Sequence, residues 1–393
     1  MSEFEKIKNA DEAYVAQTYG RFPVAIEKGE NATCYDFDGK EYIDFSSGIG
    51  VNSLGFCDEG WVQAVTKQLT TLQHISNLYY TKPCTDAARL LCEKTGMKKV
   101  FFSNSGAESN EGAIKCARKY SFEKYGEGRN KVITLLNSFH GRTVTTLAAT
   151  GQDVFHKYFF PFTEGFEFAQ ANNISALKEA LDGSVCAVMV ELIQGEGGVM
   201  PLDKDYVREV EALCREKDIL LIADEVQTGV GRTGELFAFQ HYGITPDIVT
   251  TAKGIGGGLP LGCVMFSEKT ENVFKAGDHA TTFGGNPVAT AGAAYILERM
   301  DKAFLDEVKA KGEYIREKIL KMPHVVGIDG LGLMMGIRLD EEIKSADVVR
   351  KAITKGALIL TAKAKVRLLP PLTITYDEIN KGLKAIEEAL TEV

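Results

Sequence analysis

Several absences narrow this 393-residue chain before any motif is read. Its eight cysteines form no C-x-x-C pair, and its six histidines form no His-x-x-x-His or His-Glu-x-x-His pair. Neither a zinc site nor a disulfide framework is therefore indicated, and a metal-free mechanism is favoured. No apolar run is long enough to span a bilayer, and Met1–Glu12 mixes charges where a signal peptide needs a basic start and an apolar stretch. A cytoplasmic protein is expected. Basic charge is also in deficit. A net charge of −9, with no basic run, opposes nucleic acid or an anionic membrane as a partner and leaves small metabolites. The phosphate loop of nucleotide hydrolases is missing too. The one Gly-Lys pair, Gly39-Lys40, has Cys34 where the first glycine belongs and Glu41 where the hydroxyl belongs.

What is present is a globular composition, 45% hydrophobic, with room for about two or three domains. From about residue 100 to 266, β-rich runs alternate with helical ones: 100–103, 107–120, 131–135, 185–191, 206–217, 219–224, 247–251 and 262–266. Such alternation predicts an α/β fold with a mainly parallel sheet flanked by helices, and ligands at the carboxyl ends of its strands. After Asn286-Pro287 the pattern changes to long helical segments, 289–320 and 346–355, short strands near 332–339 and 366–369, and a last helix near 377–390. This reads as a second, α+β domain. Near the start, residues 34–45 alternate around Asp38-Gly39 as a hairpin does.

Two strand ends carry the most pointed chemistry. The run 246–258 delivers Lys253 into a turn too rich in glycine to cover it, and the apolar run 219–223 ends in Asp224. A reactive amine beside a buried carboxylate suits pyridoxal-phosphate chemistry, where the lysine forms a Schiff base and the acid keeps the ring nitrogen protonated. Taken singly, Lys253 also fits a solvated surface charge, and Asp224 fits the magnesium-binding strand of an ATPase, which would lack its phosphate loop.

Four polar, glycine-bearing turns accompany the pair. Ser105 and Glu108 have capping-box spacing, and Gly106 beside them leaves free N–H groups at a helix start; a plain cap and a phosphate site fit equally. Phe139-His140-Gly141-Arg142 offers an aromatic for a flat ring and a guanidinium for a carboxylate, though a core phenylalanine and a structural ion pair fit as well. Glu191–Gly198 and Thr281–Pro287 add acids, amides and hydroxyls, and each alone is an ordinary loop.

In order, SNSGAESNEGAIKCAR, FHGRT, ELIQGEGG, DEVQTGVGRTG, PDIVTTAKGIGGGLPLG, TTFGGNP and VRLLPPLTIT resemble the motif series of the class III aminotransferases, fold type I pyridoxal-phosphate enzymes, along essentially the whole chain. The resemblance implies a large domain (49–288) with a seven-stranded type of sheet, and a small domain (289–393) joined by the N-terminal segment (1–48). It also implies that Lys253 bonds the cofactor and moves the proton, that Asp224 pairs with the ring nitrogen, and that Phe139 and His140 contact the ring. Gln227 would lie near the phenolic oxygen. Ser105, Gly106 and Ala107 would hold the phosphate with Thr282 of a second subunit, so a homodimer is expected. Arg142 and Arg367 would take the substrate carboxylates, and Glu196 would pair with Arg367 until glutamate or 2-oxoglutarate arrives.

Residues 18–24 (TYGRFPV) and 48–55 most resemble members that move the terminal amino group of N2-acetyl-L-ornithine to 2-oxoglutarate. Ornithine, N-succinyl-diaminopimelate and 4-aminobutyrate are the alternative donors. Two departures stand out: Gly55-Phe-Cys-Asp-Glu59 replaces a GHCHP-like stretch, and Leu192 stands where a proline is expected.

Overall fold

The computed structural model describes residues 1–393. Its centre is a seven-stranded sheet ordered Lys99–Ser103, Gly262–Phe266, Ile248–Thr251, Leu220–Asp224, Val185–Val190, Lys131–Leu135 and Phe166–Ala169. The last five are mutually parallel. Gly262–Phe266 runs antiparallel to both of its neighbours, so the sheet is mixed at one edge. The reversal follows from the glycine-rich turn after Lys253, which returns the chain beside its own strand instead of sending it through a crossover helix.

Central strands owe their position to composition. Every residue of Val185–Val190 and of Leu220–Asp224 is buried, as expected of strands covered by helices on both faces. Each fully buried aliphatic side chain there contributes roughly 1.5–3 kcal/mol. The helix Gly106–Tyr125 covers one face, burying Ala113, Ile114, Cys116 and Ala117.

The expected single helix over 289–320 is two, Pro287–Arg299 and Lys302–Ile319. Asp301 separates them, because its side chain caps the second helix by accepting from the Phe304 N–H at 2.8 Å. The hairpin near the N-terminus forms from Thr33–Asp36 and Glu41–Asp44, with Gly39 at φ 81° in the turn. A strand not foreseen, Ala357–Leu358, pairs in parallel with Ile43 and Asp44, so both ends of the chain build one sheet. A further sheet, Val325–Leu331, Met334–Leu339, Lys365–Leu368 and Leu360–Ala362, carries Arg367. No helix is long and apolar enough to cross a membrane.

Candidate active site

At the carboxyl ends of the central strands lies a cavity of about 600 Å³, lined by Ser105, Gly106, Ala107, Phe139, His140, Arg142, Asp224, Gln227 and Lys253, among others. Nine of the twelve expected site residues thus meet in one space. Strand geometry accounts for it: Asp224 ends one parallel strand, Lys253 follows the next, and Glu191 follows the one on the other side.

Asp224 is held on three sides. Its Oδ2 accepts from Asn110 Nδ2 at 2.8 Å and from His140 Nδ1 at 2.7 Å, and its Oδ1 accepts from the Val226 N–H at 3.0 Å. Asn110 is itself fixed by donating to the His140 carbonyl and accepting from Thr250 Oγ1, both at 2.7 Å. Burial alone would push the His140 imidazole down, but the hydrogen bond and charge of Asp224 prevail and raise it. His140 Nε2 has no partner. Lys253, at φ 47°, is pushed down by burial, which favours the neutral amine, while Glu196 acts in the opposite direction.

Ser105 caps the helix Gly106–Tyr125 by accepting from the Glu108 N–H. Glu108 does not close a capping box on Ser105; it reaches one residue further, accepting from the Asn104 N–H at 2.6 Å. Gly106 and Ala107 line the cavity, and their N–H groups, in the first helical turn, have no intrahelical acceptor. A side chain at Gly106 would meet Val226 Cγ1 at 2.6 Å, and one at Gly141 would meet Ala107 Cβ at 2.8 Å. Glycine at both positions lets the backbone pack this closely at the positive end of the helix, a place suited to an anion.

Arg367 reaches the same region from the other sheet. Its Nη1 donates to Glu196 Oε1 at 2.5 Å and to Gln227 Oε1 at 3.2 Å, and Gln227 Nε2 reaches Glu196 Oε1 at 3.4 Å. Gln227 therefore sits on the ion pair, a contact the sequence did not suggest. Burial would raise the Glu196 carboxyl, but the Arg367 charge overrides it and lowers it. Arg142 has no such partner; its guanidinium lies 4.2 Å from the centre of the Phe155 ring and 5.6 Å from that of Phe139. A cation steadied by ring faces keeps its planar fork free for a carboxylate.

Thr282 is apart from this group. It lines a second cavity, about 720 Å³, with His74, Asn77 and Phe101. The two cavities share a wall, since Asn104 Nδ2 donates to Thr281 Oγ1 at 3.0 Å. Sequence reasoning passed over Asn110 and Phe155, and it noted Glu191 as the start of a glycine-rich turn without giving it a role. Asn110 left a trace, a polar residue among the buried positions of its helix.

This geometry has many counterparts. The family model for class-III aminotransferases matches residues 14–390. The acetylornithine aminotransferase of Haemophilus ducreyi is 50% identical over 390 residues, covering 99% of each chain. Among solved structures, the ornithine aminotransferase of Toxoplasma gondii ME49 superposes with a TM-score of 0.94 at 34% identity, covering 100% of this chain and 96% of that one. The N-acetylornithine aminotransferase of Stenotrophomonas maltophilia gives 0.84 at 33% identity, covering 98% of each. With the match running over nearly its whole length, the chain belongs to the class-III aminotransferases.

Proposed function

We propose that this protein transfers the terminal amino group of N2-acetyl-L-ornithine to 2-oxoglutarate, giving N-acetylglutamate 5-semialdehyde and glutamate, a step of arginine biosynthesis. Its cofactor is pyridoxal 5'-phosphate, as in its family. When bound, the cofactor supplies an aldehyde that takes up amines and a ring that withdraws electrons from the bond to be broken. The residues fit that group: free N–H donors at Gly106 and Ala107 with Ser105 for the phosphate, the Asp224 carboxylate for the ring nitrogen, Phe139 for a ring face, and the Lys253 amine for the aldehyde.

The observation that carries the substrate reading is the unequal state of two arginines, Arg142 in the cavity lining and Arg367 behind Gln227, which it meets at 3.2 Å. Arg142 is open, while Arg367 is neutralised by Glu196. A donor with one carboxylate far from its reacting amine engages Arg142 and leaves the Arg367 pair closed. Glutamate, with two carboxylates, needs both, and its α-carboxylate displaces Glu196. Keeping Arg367 paired in the first half-reaction avoids a buried lone charge, which would cost several kcal/mol. Lys253, its charge disfavoured by burial, serves as the base that takes the proton from the substrate carbon.

Plain ornithine is the second reading, supported by the 0.94 superposition on an ornithine aminotransferase. A panel of half-reactions with acetylornithine, ornithine, N-succinyl-diaminopimelate and 4-aminobutyrate separates them. We expect acetylornithine to be fastest by about tenfold or more, the worth of one well-made contact. Faster turnover of ornithine would overturn the assignment.

The division at residues 48 and 288, a cytoplasmic location and a homodimer belong to the same reading. Leu78, Tyr80 and Phe283 stand 87%, 102% and 62% exposed at or beside the Thr282 cavity, which supports a second subunit covering it. Thr282→Ala should weaken cofactor retention about tenfold, the loss of one hydrogen bond to a charged acceptor, when free cofactor is measured after dialysis. Retention equal to that of the unaltered protein would remove Thr282 from the phosphate site.

A further inference from the structure

Glu191 follows the Val185–Val190 strand and is 6% exposed at the cavity wall. No lysine or arginine pairs with it. Its Oε2 accepts from the Phe139 N–H at 2.8 Å, and its Oε1 accepts from the Gly195 N–H at 3.4 Å. Those two N–H groups belong to different loops. One presents Phe139, His140 and Arg142; the other presents Glu196, which closes on Arg367. The loop that carries Arg142 and the loop that carries Glu196, the partner of Arg367, thus lean on the two oxygens of a single side chain.

We propose that Glu191 is a positioning residue that ties the Arg142 loop to the Glu196 loop, and that taking up a proton frees one of the two. The proposal rests on the roles given above to Arg142 and Glu196. The chemistry is simple. A carboxylate offers two equal acceptors, whereas a carboxylic acid turns one oxygen into a hydroxyl and retains one good acceptor. An N–H left facing that hydroxyl in a buried place loses its hydrogen bond.

The titration falls in a useful range. Burial, reinforced by the nearby Asp224 charge and opposed by His140, pushes the Glu191 carboxyl up to about 7. The titratable groups facing it are His140, Asp224 and Lys253. Glu225, also pushed up to about 7, is turned to Thr228 and the Phe239 N–H and touches neither loop. The proton therefore binds as pH falls through neutrality, and substrate positioning worsens on the acid side.

Glu191→Gln imitates the protonated clamp at every pH, because its amide oxygen serves one N–H and its NH₂ confronts the other. In the holoenzyme, the KM values of amino donor and 2-oxoglutarate should rise about tenfold between pH 8 and pH 6, the scale of one hydrogen bond to a charged acceptor. Those of Glu191→Gln should be high already at pH 8 and flat across the range. Amide hydrogen exchange should speed up in the peptides containing Phe139 or Gly195, whatever the loops bind. A variant that keeps the original KM values and pH dependence, or that loses melting temperature with KM and exchange unchanged, overturns the proposal. If the variant does not fold, exchange in the unaltered protein decides: equal protection of both peptides at pH 6 and pH 8, after correction for intrinsic rates, also overturns it. Should acetylornithine prove a poor substrate, the glutamate half-reaction still reports on the clamp, so the two ideas fail separately.

Discussion

Lys253→Ala is expected to slow both half-reactions on the order of 10⁴-fold, the upper range for removing a positioned acid–base group. The holoprotein should keep its cofactor, because the anion-binding helix start, Asp224 and Phe139 are untouched. Lys253 is the only lysine lining the main cavity, so no second amine is placed to replace it. Burial disfavours its charged form and so lowers the cost of presenting the free amine, while the Glu196 charge acts against this. Borohydride reduction followed by peptide mapping is the direct check. Labelling should fall on the peptide that contains Lys253 and vanish in the variant. A label on another lysine, or a variant within tenfold of full activity, would remove the assignment.

A second large effect is expected from Arg367→Ala, and it should be unequal. Loss of a buried cation that pairs with a substrate carboxylate costs about 2–5 kcal/mol. The glutamate half-reaction should therefore lose kcat/KM by roughly 10²- to 10³-fold. The acetylornithine half-reaction should suffer much less, since its carboxylate is assigned to Arg142. Glu196, half-buried, would be left without its cation, and its carboxyl should then titrate at higher pH. Stopped-flow measurement of each half-reaction tests this, and equal losses in both would defeat the gate. Arg142→Ala supplies the contrast, because it should weaken both.

Much of the site was legible because its parts lie at strand ends, and strand ends are visible in sequence. Asp224 closes a run of five buried residues, and Lys253 follows a run of four, so their juxtaposition follows from parallel pairing of neighbouring strands. Contacts between loops were not legible. Gln227 lies against Glu196 and Arg367 because three separate segments converge, and nothing local in any of them encodes that approach. Phe155 escaped notice for a similar reason, as it reads as one aromatic among several in 155–162. In the fold, the strand Gly262–Phe266 was legible but its antiparallel direction was not, because a buried strand has the same apolar run in either direction. The break at Asp301 is an N-cap inside a continuous helical pattern, a signal easily outvoted by its surroundings.

The pairing of Ile43 with Ala357 bears on how the molecule is made. A hairpin translated ahead of Ala357 and Leu358 lacks its neighbouring strand until those residues, far along the chain, have also been made. Until then an edge of unpaired peptide groups stays available to other nascent chains. Closure of that sheet waits on a contact of long sequence separation, and the open hairpin edge is one a chaperone would have reason to shelter.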